Sequence, residues 1–255
     1  MHSLEEITIC IGTEEKTKIP CKVLMHSILK RTQNPIKFCL MEGESWTKIS
    51  SRKLGVGTGF SLARWKIPEQ LNYTGFAIYL DADQLCFGDI KDLWNMNIDK
   101  EPSSIYCTYQ GDKWFKNAPN TSVMLIDCEK AKKDWWPISR VESYLETDCS
   151  KRTKYAQIMH ALNISPPPTK IPVVWNQLNE FKENGGILHF TIEPRQPWYD
   201  PRHPFKYLWA QELSSAIKDG IITKKEIRQE ISIFKPHTRI ERGKGLHPYW
   251  KKWAA

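Results

Sequence analysis

The first forty residues pass from a short apolar run to a helical pattern and back. Ile7-Thr8-Ile9-Cys10-Ile11 stops at Gly12-Thr13-Glu14 and predicts a buried strand that leaves a sheet at a loop. Over Cys21 to Arg31 the spacing Val23-Leu24, Ser27-Ile28 predicts one helical face. Pro20 stands at its start and Lys30-Arg31 in its last turn, where a proline and cations suit a helix. Ile36 to Leu40 alternates as a second strand. Strand, helix and strand in close succession make a βαβ unit, the pattern of a parallel sheet.

Phe76-Ala77-Ile78-Tyr79-Leu80 is the strongest buried strand and runs directly into Asp81-Ala82-Asp83. Further strands are expected over 104–108, 123–127, 171–174 and 187–190. Helices are expected over 129–134, 140–146, 152–162, 203–217 and 224–231, with a short one over 60–66 ended by Pro68. The glycine run 55–59 lacks a preceding strand and reads as a loop rather than a phosphate cradle. Ser165-Pro166-Pro167-Pro168 is followed at once by an apolar run and reads as a surface loop. The expectation is one α/β domain over 1–255, with a basic C-terminal extension from about 231.

Composition narrows this picture. A 40% hydrophobic content with 11 Trp is ample for a packed core and argues against disorder. No apolar stretch approaches the roughly 20 residues of a membrane span, and Met1 to Glu6 lacks a signal-peptide pattern. A cytoplasmic protein is expected, with peripheral contact at a membrane surface within its reach. The seven cysteines, odd in number and without a Cys-x-x-Cys pair, read as buried thiols. The net charge of +8 favours anionic partners but does not choose among nucleotides, acidic glycans, membranes and nucleic acid.

The chemistry centres on Asp81 and Asp83. Residues i and i+2 of extended backbone point to one side, so the two carboxylates converge. At about 4 Å two such charges repel by roughly 1 kcal/mol in water and about 4 kcal/mol near a protein surface, so a cation belongs between them. Hard oxygen ligands suit Mn²⁺ or Mg²⁺, which keep part of their shell for substrate phosphates. The carboxyl end of a strand in an open α/β sheet is also where ligands bind. The plainer alternative is a pair of acidic turn residues.

Three ordered segments, Phe60 to Pro68, Ala77 to Asp83 and Asp89-Ile90-Lys91-Asp92-Leu93-Trp94, resemble glycosyltransferase family 8 and its bacterial and viral relatives. Asn120 to Asp127, Leu188-His189-Phe190-Thr191 and Gln196-Pro197-Trp198 extend the resemblance, in the family's order. It implies a GT-A fold, Rossmann-like, with a mixed, mostly parallel central sheet flanked by helices. It also implies sugar transfer from a nucleotide-diphosphate donor, usually a UDP-sugar, to the hydroxyl of a glycan, glycoprotein or other acceptor, with retention of configuration.

By position, Asp81, Asp83 and His189 resemble the metal ligands, and the imidazole tilts the metal from Mg²⁺ towards Mn²⁺. Ile11, Gly12, Thr13 and Glu14 resemble the nucleobase site, and Asp81-Ala82 lies near the ribose. Arg64 resembles a residue beside the donor's phosphates and sugar, while Asn120 and Ser122 resemble the turn that touches that sugar. Trp198 belongs to the same donor-binding set. Two departures stand out. The family's His-x-x-Gly-x-x-Lys-Pro-Trp is here one residue longer, with Arg195 in place of the lysine charge. Its Asp-Gln-Asp motif is here Tyr155-Ala156-Gln157, so Gln157 alone keeps a contact.

Two other readings compete. A basic, Trp-rich module could bind glycans or nucleic acid without catalysis, although no nucleic-acid motif is present and nucleic acid is not the expected partner. A phosphatase with an Asp-x-Asp nucleophile would carry that motif near its N-terminus, whereas here it follows some 80 residues.

Overall fold

The computed structural model describes residues 4–43, 58–96, 101–111, 116–146, 151–182, 185–192 and 195–233. Gly55 to Gly57, Cys149, Glu193-Pro194 and the basic C-terminal segment from 234 lie outside the described residues. The chain divides into two compact units whose segments interleave along the sequence.

The first unit comprises residues 1–14, 33–81 and 90–176. Its sheet contains β1 (Ile7–Thr13), β2 (Ile36–Glu42), β3 (Phe76–Asp81), β5 (Ile105–Gly111), β6 (Lys116–Asp127) and β7 (Thr169–Lys170), in the order β2-β1-β3-β6-β5-β7. β1 pairs in parallel with both β2 and β3, and β5 with β7; β6 runs antiparallel to β3 and β5. The sheet is therefore mixed and mostly parallel, as expected. In β3 every residue from Ala77 to Leu80 is buried, the mark of a strand covered on both faces. Helices α2 (Ile67–Gln70), α3 (Ile90–Trp94), α4 (Cys128–Asp134), α5 (Ile138–Glu146) and α6 (Lys151–Met159) complete this unit. Trp65, Tyr79, Met124, Ile126, Trp135 and Leu145 share its core.

Two local expectations give way. Pro68 does not end a helix: residues 63–66 form a 3₁₀ turn that runs into α2, with Pro68 in its first turn, where a missing N–H costs nothing. Residues 171–174 are not a strand; Val173–Asn176 form a 3₁₀ turn in which Trp175 N donates to Pro172 O.

The second unit comprises residues 15–32, 82–89 and 177 onward. Its sheet has the order β4-β9-β8, from β4 (Gln84–Cys86), β8 (Gln177–Leu178) and β9 (Ile187–His189). Helices α1 (Lys18–Leu29), α7 (Lys206–Lys218) and α8 (Lys224–Ile233) pack with it around Ile19, Val23, Leu188, Phe190, Trp209 and Leu213. α7 begins three residues later than expected because His203 Nδ1 accepts from Phe205 N and holds a turn there. Six cysteines among the described residues are free thiols, five of them buried. No helix among the described residues is long and apolar enough to cross a membrane.

Candidate active site

Asp81 is the last residue of β3 and closes the 33–81 segment of the first unit. Its Oδ1 accepts from Tyr79, two residues back on the same strand, at 2.6 Å, and from Arg64 Nη2 at 2.9 Å. Arg64 is 2% exposed and is held on all sides. Its Nε donates to Ser61 O, its Nη1 to the carbonyl and hydroxyl of Thr121, and its guanidinium lies 4.5 Å over the Tyr79 ring. A guanidinium so committed works through the carboxylate it orients. Opposite Asp81 in the ladder is Gly12 of β1. A Cβ at Gly12 would fall 2.6 Å from Phe60 Cδ2 and closer still to Tyr79 Oη, so only glycine leaves Tyr79 its place beside Asp81.

Of the other residues expected around the nucleobase, Ile11 and Thr13 are buried on β1, and Glu14 follows the strand, its carboxylate accepting from Gly59 N at 3.3 Å. Asn120 and Ser122 sit on β6, where Ser122 Oγ donates to Asn120 Oδ1 at 2.5 Å. Asn176, fully buried at the end of the 3₁₀ turn, donates to Ser122 Oγ at 3.0 Å. Gln110 in turn donates to Asn176 O and to Thr108 Oγ1. This chain of amides and hydroxyls was invisible as a motif, because its members lie on β5, β6 and a turn. Gln157 lies on α6, its Oε1 accepting from Tyr144 of α5 at 2.7 Å.

In the second unit, the antiparallel pairing of Gln84 with His189 brings Asp83 beside β9, and Phe190 N donates to Asp83 O at 3.0 Å. Gln196 is 6% exposed; its amide donates to Asp83 Oδ2 at 2.8 Å and to Phe190 O at 3.0 Å. The other oxygen, Oδ1, is buried, accepts no hydrogen bond, and lies 3.1 Å from His189 Nε2. A carboxylate oxygen and an imidazole nitrogen this close are two groups able to ligate a common cation. Their chemistry fits a divalent ion with mixed oxygen and nitrogen ligands. Asp83 and His189 are thus candidate metal ligands of this unit, and Asp81 precedes Asp83 by two residues in the chain.

Arg195 is exposed and lines a cavity of about 530 Å³ in the second unit, with Asn179, Arg202 and His203. Burial lowers the pKa of His203, favouring the neutral ring. Trp198 is the last of the residues expected at the donor. It is 2% exposed and packed edge-on against Phe190 and tilted against Trp209, a core side chain that fixes the segment carrying Gln196.

The fold that carries this geometry is the GT-A fold. Residues 30–132 match the family model of Glycosyl transferase family 8. Protein CDI of Arabidopsis thaliana is 28% identical over 99 residues, which cover 36% of this chain and 37% of that protein. Among solved structures, the galactosyltransferase LgtC in complex with donor and acceptor sugar analogs superposes with a TM-score of 0.61 at 13% identity. That likeness covers 85% of this chain and 100% of the other. The bifunctional glycosyltransferase WbbM superposes at 0.60 with 10% identity, covering 84% of this chain and 50% of its own. At these identities the structures speak for the fold alone.

Proposed function

We propose that this protein transfers a sugar from a UDP-sugar to the hydroxyl of a glycan, glycoprotein or other acceptor, with Mn²⁺ held by Asp81, Asp83 and His189 and with retention of configuration. The observation that carries the reading is Asp83. Gln196 fixes one of its oxygens while the other lies 3.1 Å from His189 Nε2 and accepts no hydrogen bond. A bound divalent ion supplies charge to the leaving diphosphate.

The chain's own residues supply the rest. Arg64 and Tyr79 orient Asp81, as Gln196 orients Asp83, so neither carboxylate has to reorganise when the donor binds. Ile11 to Glu14 takes the nucleobase, with Asp81-Ala82 at the ribose. Asn120 and Ser122, braced by Asn176, contact the donor sugar, with Gln157 as a further contact. Arg195, an exposed cation in the second unit, adds charge to the diphosphate in place of the family's lysine, with the different reach of a guanidinium.

The test is a thermal-shift screen of nucleotide sugars with and without Mn²⁺, since a ligand of the folded state raises apparent stability. Stabilisation by a UDP-sugar only in the presence of the metal supports the reading. Salt-sensitive RNA binding with no nucleotide effect would replace it with the non-catalytic binding module.

A further inference from the structure

We propose that the first unit carries a separate carbohydrate-binding site, a cavity of about 200 Å³ walled by Trp65, Tyr73, Trp135 and Trp136, with Glu69 and Lys132 at its polar side. It is assembled from the 3₁₀ turn at 63–66, helix α2 with the turn that follows it, and helix α4 with its exit at Trp135-Trp136-Pro137. None of these six residues belongs to the donor site described above.

The walls favour a ring-shaped ligand. Trp65 and Trp135 meet in a T-shaped contact at 5.0 Å, and the cavity is smaller than the roughly 300–1,000 Å³ of a drug-sized pocket, so it suits a single ring. Aromatic faces complement the C–H faces of a pyranose as they do other apolar surfaces.

The polar atoms decide between a sugar and a cation. The indole N–H of Trp135 donates to Ser104 Oγ at 2.9 Å, whereas that of Trp65, 4% exposed, has no acceptor. A buried donor without a partner costs the full desolvation of the group, and since Trp65 is a wall of the cavity, a ligand there that brings an acceptor would relieve that cost. A sugar hydroxyl accepts and donates; a quaternary ammonium, the usual guest of an aromatic cage, does neither. The Lys132 ammonium, 6.0 Å over the Tyr73 ring, already takes the cation's place on that wall. Glu69 and Lys132 are both exposed and offer an acceptor and a donor to ring hydroxyls. The site therefore takes a pyranose unit of a glycan, and because Trp65 follows Arg64 in the chain, it lies one residue from the group that orients Asp81.

The experiment is a titration of the full chain, labelled with ¹⁵N at its tryptophan indoles, with methyl β-D-glucopyranoside and methyl β-D-galactopyranoside, and with choline as the competing class. The indole resonance that vanishes in Trp65→Phe identifies the orphan N–H. The proposal predicts that a pyranoside moves this resonance saturably. Trp65→Phe should then weaken binding, followed on the remaining indoles, roughly fivefold to tenfold, the weight of one hydrogen bond. Trp136→Ala should weaken it roughly tenfold through lost ring contact. Glu69→Gln and Lys132→Ala, both on the surface, provide variants that do not disturb the core, and each should weaken binding several-fold. No response to either pyranoside, a response to choline in their place, or a pyranoside response that survives all four substitutions overturns the proposal. Because the readout is binding without donor or metal, it stands or falls separately from the transferase reading.

Discussion

Asp83 Oδ1 lies 3.1 Å from His189 Nε2, buried, and accepts no hydrogen bond there. A stable ion pair would align the N–H with the oxygen, and a solvated carboxylate would not be buried beside a 5% exposed histidine. The arrangement makes sense once both atoms are ligands, and the residues around them can be tested in that light.

Gln196 is the residue through which Asp83 is held. Gln196→Leu keeps the side-chain bulk and removes the donor at 2.8 Å. Mn²⁺ affinity should fall roughly 10- to 100-fold, the usual effect of losing an outer hydrogen bond to a metal ligand, with little change in melting temperature. A Mn²⁺ titration followed by electron paramagnetic resonance checks this.

Gly12 and Tyr79 form the corresponding support for Asp81. Gly12→Ala drives a methyl group into Tyr79 and Phe60 and should destabilise the protein by about 1–3 kcal/mol, lowering the melting temperature by several degrees. Tyr79→Phe removes only the hydroxyl that donates to Asp81. It should leave the fold intact while weakening Mn²⁺-dependent nucleotide binding. Calorimetric melting and a nucleotide titration on both variants separate the two effects.

Glu230 sets a pH dependence in the second unit. It is buried, Oε2 accepts from Ile19 N at 2.8 Å, and burial raises its pKa from 4.5 to about 8. The folded state therefore holds a proton that the unfolded chain releases above 4.5. The stabilising contribution is complete below that pH and is lost as pH rises to about 8, by a few kcal/mol at most. Glu230→Gln keeps an acceptor for Ile19 and should flatten the stability profile across this window, as measured by urea denaturation at several pH values.

Cys39 is the most reactive thiol to expect among the described residues. It pairs with Cys10 across β1 and β2, and the hydrogen bond from the Cys10 thiol lowers its pKa to about 7, while the Cys10 pKa is raised. Cys86, Cys107 and Cys128 are buried and pushed up to about 12. Brief iodoacetamide treatment of the native protein at neutral pH, read by peptide mass spectrometry, should label Cys39 ahead of these four.

What could be read from the sequence follows from how each residue's role is set. β1 and β3 were legible because a buried strand shows as a short apolar run, β2 because its apolar residues alternate, and the two aspartates because a strand end fixes their spacing. Arg64 was singled out through its segment, but its commitment to Asp81, Ser61 and Thr121 is a tertiary fact with no local signature. The contacts of Gln196 with Asp83 and of Asn176 with Ser122 have no local signature, because the partners lie 113 and 54 residues away. The packing of Trp198 against Phe190 and Trp209 likewise has no local signature. Val173-Val174 suggested a strand by composition, and the bond to Pro172 made it a turn.

In the proposed reading Asp81, Asp83 and His189 bind a divalent cation that carries the donor nucleotide. Isothermal titration of UDP into the wild-type chain and into Asp83→Asn, each with Mn²⁺ and with EDTA, tests it directly. The account predicts binding to the wild type in Mn²⁺ only, and its loss in Asp83→Asn despite an unchanged melting temperature. UDP binding of equal strength in EDTA, or an unaltered isotherm in Asp83→Asn, would contradict it.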